Sequence, residues 1–279
     1  MEEIITSRQN RQVVRLVKLT DRKYRDAEQA FRFDGIKLLC EALANGVRIE
    51  TVFLRASSAD RLAERAETLG GYRAALEALP RVILEDTLFD RVSEEKSPDG
   101  VICVAKYIDK IRKIITINNI GEKSGQDFPG ATERLCLLES VRDPSNIGAV
   151  IRSAAALGAD RMVLSADCAD LYNPKTVRAS MGTLFRMRID RTDDLPGYIR
   201  LLCKTGRRVF AAALDAEAVK LGSFTPEPGD CAVIGNEGHG LSPQVLNACS
   251  QTVYIPMREG VESLNAAVAA SLFLWELGR

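Results

Sequence analysis

The segment PMREGVESLNAAVA, residues 256–269, joins a short apolar strand pattern to the strongest helix pattern of the chain. Ser263 is expected to cap this last helix, and the alanines that follow favour close packing against neighbouring elements. A purely structural interpretation is a capped helix that buries Leu264, Val268 and Leu272. That interpretation does not explain the long polar loop MREGVES in front of the helix. The loop therefore indicates a ligand-binding site.

Apolar strand patterns alternate with helical patterns through the second half of the chain, which predicts an α/β fold with a parallel sheet covered on both faces. Residues 1–106 mix both patterns and are expected to form a separate domain, followed by a linker at 107–134 and a second domain at 135–279. The predicted strands of the second domain are 135–139, 161–165, 184–189, 209–214, 231–235 and 252–255. The predicted helices are 147–157, 177–181, 198–204, 243–249 and 264–277.

The composition argues against several classes of protein. Basic and acidic residues balance at 38 each, so no net charge attracts a polyanion. The seven cysteines are dispersed without a CxxC pair, which is typical of reduced thiols in a cytoplasmic protein. A single histidine, His239, argues against histidine-based metal sites and Ser-His-Asp triads. We expect neither a leader peptide nor a membrane partner, since the N-terminus lacks targeting features and no apolar run reaches the length of a span.

Three loops that follow predicted strands carry the candidate site, since ligands of parallel sheets bind beyond the carboxyl ends of the strands. In the first, DPSNIGAVIR at residues 143–152, a turn leads into a helix that Ser145 or Asn146 is expected to cap. Arg152 lies about two turns into that helix. A solvated arginine that only stabilises the helix would explain it equally well.

The second loop is VIGNEGHGLS, residues 233–242. Its glycines allow the backbone to approach a ligand closely or to adopt positive φ angles. Ser242 and Pro243 predict a helix with an N-cap and a proline in its first turn. The glycine spacing is not GxGxxG and follows a late strand, which disfavours a nucleotide-cofactor oxidoreductase. His239 is more typical of a loop residue than of a catalytic base.

Together with the opening segment, these loops resemble three motifs of the SpoU (TrmH-type) family of RNA ribose 2′-O-methyltransferases, within the SPOUT superfamily. NIGAVIR resembles an Asn-x-Gly-x-x-x-Arg motif, and IGNEGHGLS contains a Gly-x-Glu-x-x-Gly core. IPMREGVESLNAAVA carries Ile-Pro-Met and Ser-Leu-Asn in the family's order. NPKTVRASMGTLFR, residues 173–186, is also similar to the family. The N-terminal part resembles a small α/β RNA-binding domain, itself similar to ribosomal proteins, that many members carry.

The resemblance implies a deep trefoil knot in the C-terminal SPOUT domain, which binds S-adenosyl-L-methionine (SAM) in a bent form. It also implies a homodimer through that domain and no metal. Main-chain groups around three residues are expected to bind the adenosyl part, and four further residues to complete the wall. The expected cofactor residues are Gly235, Ile255 and Leu264, with Leu214, Asn236, Met257 and Ser263.

In the family, the position of Arg152 is assigned to activation of the ribose 2′-hydroxyl. A guanidinium group with a pKa above about 12 is a poor base. We therefore interpret Arg152 as a group that orients the hydroxyl and holds an RNA phosphate, which relays the proton. Asn146 is expected to position the substrate, and Asn265 to hydrogen-bond near the target ribose. Glu237 is expected to hold Arg152 or Asn265 in place.

Cations recur at steps of three and four near the N-terminus, which predicts one basic helical stripe for RNA phosphates. Its members are Arg8, Arg11, Arg15, Lys18, Arg22 and Arg25. A merely solvated helix face is the alternative. The expected function is SAM-dependent methylation of a ribose 2′-hydroxyl, with ribosomal RNA favoured by the N-terminal domain. A transfer RNA substrate and a non-catalytic RNA-binding ribosome-assembly factor remain as alternatives.

Overall fold

The computed structural model describes residues 3–112, 128–261 and 263–279. Its strands are β1 (Ile4–Ile5), β2 (Ala30–Asp34), β3 (Ile49–Arg55), β4 (Arg81–Leu84), β5 (Val101–Lys106), β6 (Ile111–Arg112), β7 (Leu135–Leu138), β8 (Arg161–Ser165), β9 (Arg188–Thr192), β10 (Val209–Ala212), β11 (Val219–Lys220), β12 (Cys231–Ile234) and β13 (Gln251–Tyr254). Its α-helices are α1 (Arg11–Lys18), α2 (Arg22–Glu28), α3 (Ile36–Ala44), α4 (Ala59–Thr68), α5 (Arg73–Glu77), α6 (Asp86–Val92), α7 (Pro144–Ala156), α8 (Pro174–Ala179), α9 (Leu195–Lys204), α10 (Pro243–Leu246) and α11 (Ala266–Leu277).

The chain forms two compact units. The first comprises Met1–Ile108 and Asp170–Arg186, and the second comprises Asp109–Ala169 and Met187–Arg279. The division at 108 lies near the predicted end of the N-terminal domain, but the predicted second domain is interrupted, since 17 of its residues, Asp170–Arg186, group with the first unit. Each unit contains one β-sheet.

The first unit is built on a mixed sheet with the strand order β1-β4-β3-β5-β2. Strand β5 is antiparallel to both β2 and β3, whereas β4 is parallel to β1 and β3. Leu16 of α1 and Phe89 of α6 pack with Phe53 of β3 in the core. Strand β2 lies at the edge of the sheet, so residues from another part of the chain are needed to cover it.

That cover comes from the segment Asp170–Arg186. The ring of Phe31 in β2 lies 4.8 Å from that of Tyr172, and the ring of Phe33 lies 5.4 Å from that of Phe185. The segment contains α8 and a 3₁₀ turn at Thr183–Phe185. The predicted strand at 184–189 is therefore wrong over its first four residues, because Leu184 and Phe185 are buried in a turn and β9 begins only at Arg188.

The second unit contains eight parallel strands in the order β11-β13-β10-β12-β7-β8-β9-β6. Strands β7 and β12 are the uninterrupted apolar runs LCLL and CAVI, and all eight of their residues are buried. Burial on both faces is what continuous apolar strands predict, and it confirms the predicted α/β fold with a parallel sheet. Helices α9 and α10 pack together, while α11 packs on α7 and on β12.

The predicted linker at 107–134 contains structured residues at both ends. Tyr107 stacks on Tyr172 within the first unit, with ring centroids 3.8 Å apart. Strand β6 pairs with β9 at the edge of the eight-stranded sheet. Phe128 packs against Tyr198, with ring centroids 5.8 Å apart. The part of the predicted linker at 113–127 lies outside the described residues.

All seven cysteines are free thiols in the structure. Burial raises the pKa of the Cys136 thiol to about 12, and most of the others are buried as well. Across the described parts of the chain, no helix combines the length and apolarity that a membrane crossing requires. The same residues hold no group of three or more histidine, cysteine, aspartate or glutamate side chains arranged for a metal ion.

Candidate active site

A cavity of about 470 Å³ lies beyond the carboxyl ends of β10, β12 and β13, which are neighbours in the second unit's sheet. The residues that end these strands, the loop after β12 and the loop before α11 form its walls. Helix α11 contributes Ala266, Ala269 and Phe273 to one side. All seven residues expected around the cofactor line this single cavity: Leu214, Gly235, Asn236, Ile255, Met257, Ser263 and Leu264.

The loop after β12 closes on itself. The backbone N–H of Asn236 donates to the Gly240 carbonyl at 3.1 Å, and the Gly240 N–H donates back at 2.9 Å. Gly240 has a φ of +66°, which glycine adopts without strain. A Cβ on Gly235 would lie 2.5 Å from the Gly240 carbonyl carbon. The glycine at 235 is therefore required by a close approach of the chain to itself, and not only by the approach of a ligand.

The side chain of Asn236 holds this loop in place. Its Nδ2 donates to the Ser140 carbonyl at 2.8 Å, at the end of β7. Its Oδ1 accepts from the backbone N–H groups of Gly238 at 2.8 Å and His239 at 3.2 Å. Since both ends of the amide are bonded to the protein, Asn236 is a wall residue of the cavity whose side chain fixes the shape of the loop.

Ser140 belongs to a hydrogen-bond network that the sequence did not lead us to expect. Its φ is +54°, an uncommon value for a residue other than glycine. Its hydroxyl donates to Asp167 at 2.6 Å, and its N–H donates to the hydroxyl of Ser165 at 2.9 Å. Burial alone would raise the pKa of Asp167, but the hydrogen bonds from Ser140 and Ser165 outweigh it and leave that pKa below its usual value. The network joins the carboxyl ends of β7, β8 and β12.

A second missed residue, Glu139, ties the same strand end to α10. Its carboxylate accepts from the hydroxyl of Ser242 at 2.6 Å and from the Ser242 N–H at 2.7 Å. Ser242 in turn caps α10, whose first residue is Pro243, as the sequence predicts. The available signal was that Glu139 and Ser140 directly follow the apolar strand LCLL, where parallel sheets place functional side chains.

Three of the four expected catalytic residues form a hydrogen-bonded chain, here called the Asn146 relay. Asn146 donates from Nδ2 to the carboxylate of Glu237. Its Oδ1 accepts from Asn265 Nδ2 at 2.9 Å. Glu237 was expected to hold Arg152 or Asn265, but it bonds to Asn146, which lies between it and Asn265. The three motifs thus meet through side chains that lie 91 and 119 residues apart in sequence.

Two of the three expected helix caps differ in the structure. Asp143, and neither Ser145 nor Asn146, caps α7, because its Oδ1 reaches two backbone N–H groups at 2.6 and 3.0 Å. Asn265, and not Ser263, caps α11 through the N–H groups of its second and third residues, at 2.9 and 3.4 Å. Because Asp143 and not Asn146 caps α7, the side chain of Asn146 can join the relay. The structural interpretation of α11 also fails in part, since Val268 and Leu272 are exposed.

Arg152 is exposed on α7. It follows Asn146 by six residues, so its side chain leaves the helix about 120° away from that of Asn146. It forms no hydrogen bond or ion pair with the residues that the structure describes. Within the described residues, Arg152 is therefore not connected to the Asn146 relay.

The basic stripe expected near the N-terminus does not form one helix face, because α1 ends at Lys18 and α2 begins at Arg22. Arg25 is 2% exposed and bonds to Asp170 at 2.5 Å, so its assignment as a contact to RNA phosphate is wrong. Arg15 forms ion pairs with two glutamates, and Arg22 pairs with one aspartate. The three remaining members are exposed and form no ion pair among the described residues: Arg8, Arg11 and Lys18. The Lys18 ammonium lies 5.3 Å from the centre of the Tyr24 ring.

Comparison with known protein families matches two parts of the chain. Residues 133–275 match the model of the SpoU rRNA Methylase family, and residues 10–103 match an MRM3-like substrate binding domain. The first match contains every residue that lines the cavity and every member of the Asn146 relay. The second lies within the first compact unit.

Individual relatives agree with these matches. The 23S rRNA (guanosine(2553)-2′-O)-methyltransferase RlmP of Bacillus subtilis (strain 168) is 27% identical over 273 residues, which is 98% of each chain. A 23S rRNA (uridine(2479)-2′-O)-methyltransferase of Streptomyces viridochromogenes is 38% identical over 166 residues, which is 55% of this chain and 53% of that protein. The structure of an AdoMet-bound rRNA methyltransferase from Sinorhizobium meliloti superposes with a TM-score of 0.78 at 26% identity, and covers 99% of this chain and 97% of its own.

Proposed function

Since this chain belongs to the SpoU rRNA Methylase family, we propose that it transfers the methyl group of SAM to a ribose 2′-hydroxyl of ribosomal RNA. The observation that carries this proposal is the cavity at the carboxyl ends of β10, β12 and β13. It collects all seven expected cofactor residues at the carboxyl ends of three parallel strands. The Asn146 relay joins the loop after β12 to the helices α7 and α11.

The cavity suits SAM in size and chemistry. Its volume of about 470 Å³ lies within the range of about 300–1,000 Å³ that is common for small-molecule sites. Leu214 and Met257 offer apolar surface to an adenine ring, and backbone groups of Gly235, Ile255 and Leu264 offer donors and acceptors to its edge. The hydrogen bonds of Asn236 shape this wall, so we assign its side chain to positioning and not to direct recognition.

When bound, SAM supplies a methyl group on a cationic sulfur that becomes a neutral thioether, so the leaving group requires no metal ion. The protein has to align the ribose hydroxyl and accept its proton. Glu237 orients the Asn146 amide, and Asn146 orients that of Asn265. One N–H of the Asn265 amide bonds to Asn146, and the second is available to a ribose oxygen.

Arg152 orients the 2′-hydroxyl and binds an adjacent RNA phosphate in this proposal. Its guanidinium stays charged at neutral pH and cannot accept the proton itself. A phosphate oxygen held by Arg152 can accept the proton. The exposure of Arg152 and its lack of a partner among the described residues support this role, since a nearby carboxylate would compete for the guanidinium.

We further propose that the C-terminal segment is threaded into a trefoil knot. Strand β13 lies on the far side of β10 from β12. The chain then returns, because α11 packs on β12 and α7. The chain thus runs outward along the sheet to β13 and returns across the cavity to α11. This path supports the proposed knot, in which the loop before α11 encloses the cofactor.

The proposed assembly is a homodimer through α11. Val268, Leu272 and Trp275 are spaced four and three residues apart on this helix, and all three are exposed, Trp275 at 63%. An apolar row of this kind is typical of an interface. Trp275→Glu should convert the dimer to a monomer in analytical ultracentrifugation, whereas Glu217→Ala, an exposed change outside α11, should not. A wild-type monomer at micromolar concentration would contradict the assembly.

The substrate-binding match at 10–103 supports RNA recognition by the first unit. Ribosomal RNA is favoured over transfer RNA because the two methyltransferases compared above act on 23S rRNA. We place the reaction in the cytoplasm, where seven free thiols remain reduced.

The test is to incubate the protein with methyl-labelled SAM and with unmodified large-subunit ribosomal RNA or transfer RNA, each transcribed in vitro. We expect label in the ribosomal RNA, at a nucleotide whose 3′ linkage resists alkaline cleavage, because a methylated 2′-oxygen cannot attack its phosphate. Label in transfer RNA alone would support the other substrate. RNA binding and SAM binding without transfer would support a non-catalytic assembly factor.

A further inference from the structure

We propose that the segment Asp170–Arg186 is an RNA-docking element of the first unit. In this proposal Lys175, Arg178 and Arg186 bind phosphates, and Met181 contacts an unpaired base. The inference rests on the proposed function, since RNA is the partner. It differs from the basic stripe expected near the N-terminus, and it assigns contacts to a part of the chain outside the matched substrate-binding domain at 10–103.

The outward charge of the segment is entirely positive. Its one acidic residue is Asp170, which pairs with the buried Arg25 at 2.5 Å. Lys175, Arg178 and Arg186 are exposed, and none forms an ion pair with a described residue. Unpaired cations are suited to phosphates, which contribute most of the affinity for nucleic acids.

The inner side of the segment is held in one conformation by specific contacts. Tyr172 stacks on Tyr107, and its hydroxyl accepts from the Ile108 N–H at 2.8 Å. Phe185 packs on Phe33. These contacts order the backbone before any partner binds, so less conformational entropy is lost on docking.

Two of the three cations share one face of α8. Lys175 and Arg178 are three residues apart on α8, which places them on the same helix face. Thr176 and Val177, between them, are fully buried on the other face. Met181 lies three residues after Arg178, just beyond the helix. The exposed positions 175, 178 and 181 therefore carry two cations followed by one apolar group.

Met181 combines a strained backbone with a half-exposed side chain. Its φ of +50° is strained for a side chain of this size, and 48% of its surface is exposed. The next residue, Gly182, also has a positive φ, and a Cβ there would lie 2.7 Å from the side chain of Glu41. Residues with a strained backbone cluster at sites where a ligand is held. A polarizable apolar side chain next to cations fits the face of an unstacked base.

The charge contribution is tested with the triple variant K175Q/R178Q/R186Q. Its matched control is R200Q/K204Q/K220Q, which removes three exposed cations of the second unit that form no ion pair with a described residue and lie outside the matched substrate-binding domain. The probe is unmodified large-subunit ribosomal RNA, with Kd measured over a series of KCl concentrations. The first variant should lower the slope of log K against log salt by about 2, at about 0.7 per lost phosphate contact. An unchanged slope, or an equal loss in the control, would overturn the proposal.

Met181→Gly separates a base contact from a structural role. Glycine adopts positive φ without strain, so the variant should melt at the same or a higher temperature than the wild type. Loss of the base contact should nevertheless weaken RNA binding by about fivefold, the lower end of the range for stacking contacts. Unchanged RNA affinity would contradict the role of Met181, whatever the melting temperature.

Failure of this inference can be told apart from failure of the proposed function. Methyl transfer to RNA by the wild-type protein tests the function without reference to the segment. If the wild type methylates RNA and the first triple variant retains its RNA affinity, the surface is not an RNA-docking element. The SAM affinity of both triple variants should equal that of the wild type, since none of the substituted residues lines the cavity.

Discussion

Asn265 donates a hydrogen bond of 2.9 Å to Asn146, which itself donates to the carboxylate of Glu237. A carboxylate at neutral pH only accepts hydrogen bonds, so Glu237 fixes which end of the Asn146 amide faces it. The orientation of Asn146 then fixes that of Asn265, whose Oδ1 faces the N-terminal N–H groups of α11. One charge thus sets the direction of every hydrogen bond in the relay.

Asn146→Asp should reduce methylation more than Asn146→Ala. The aspartate would place a second carboxylate against Glu237, and the two negative charges would repel each other at pH 7. Protonation of the pair should restore part of the activity as the pH falls toward 5, whereas Asn146→Ala should show no such recovery. Single-turnover rates between pH 5 and 8 measure this difference. Equal rates for both variants across the range would show that Glu237 does not orient Asn146.

Arg152→Ala should lower the methylation rate by about 10²–10⁴ at saturating SAM and RNA, the usual scale for a positioned group that assists proton transfer. Arg152→Lys should restore little activity if the planar guanidinium is needed to bind a phosphate through two hydrogen bonds. The melting temperature should change little, because Arg152 is exposed and has no partner among the described residues. A wild-type rate in Arg152→Ala would show that Arg152 has no catalytic role and is only a solvated residue of α7.

Gly235→Ala should abolish most SAM binding. The added Cβ would lie 2.5 Å from the Gly240 carbonyl carbon and 2.7 Å from the Leu241 nitrogen, so the loop after β12 must move. Gly238→Ala is the matched control, because its Cβ would meet only the Asn236 side chain at an ordinary 3.5 Å. Calorimetric titration with SAM should show a much larger loss for Gly235→Ala. Similar affinities would mean that the loop accommodates the methyl group.

Ser140→Gly should be more stable than Ser140→Ala by about 1 kcal/mol, since only glycine relieves the strain of a positive φ at this position. Both variants lose the hydroxyl that bonds to Asp167, so the difference between them isolates the backbone. Chemical denaturation of both proteins gives the comparison. The opposite order would show that the backbone at 140 relaxes without cost.

Asp167 contributes stability that depends on pH. Its folded pKa lies below the ordinary value of 3.8, so the contribution is fully present above about pH 4 and disappears as the pH falls through the folded pKa. The difference in unfolding free energy between the wild type and Asp167→Asn should therefore be constant from pH 8 to about 5 and shrink at lower pH. A difference that grows on acidification would contradict the hydrogen bonds from Ser140 and Ser165.

The loops of the site follow from local sequence patterns to a large extent. Apolar runs such as LCLL identify buried parallel strands, and the carboxyl ends of such strands lie at one edge of a sheet. Glycine and polar residues directly after these runs could therefore be assigned to one site, and the seven expected residues do line one cavity. Helix caps were harder to predict, because Asp143, Ser145 and Asn146 all have side chains that can cap α7. Only the geometry of the turn selects Asp143.

By itself, the sequence determined the parallel α/β fold of the second unit and the loops that form the cavity, because each depends on residues close in sequence. The tertiary structure decided which charges are paired. Arg25 belongs to a basic pattern, yet it is buried against Asp170, 145 residues away. Asn146 likewise meets Glu237 and Asn265 only through the fold. An ion pair or a hydrogen bond depends on a partner at a distance of about 3 Å, and no periodicity along the chain specifies that partner.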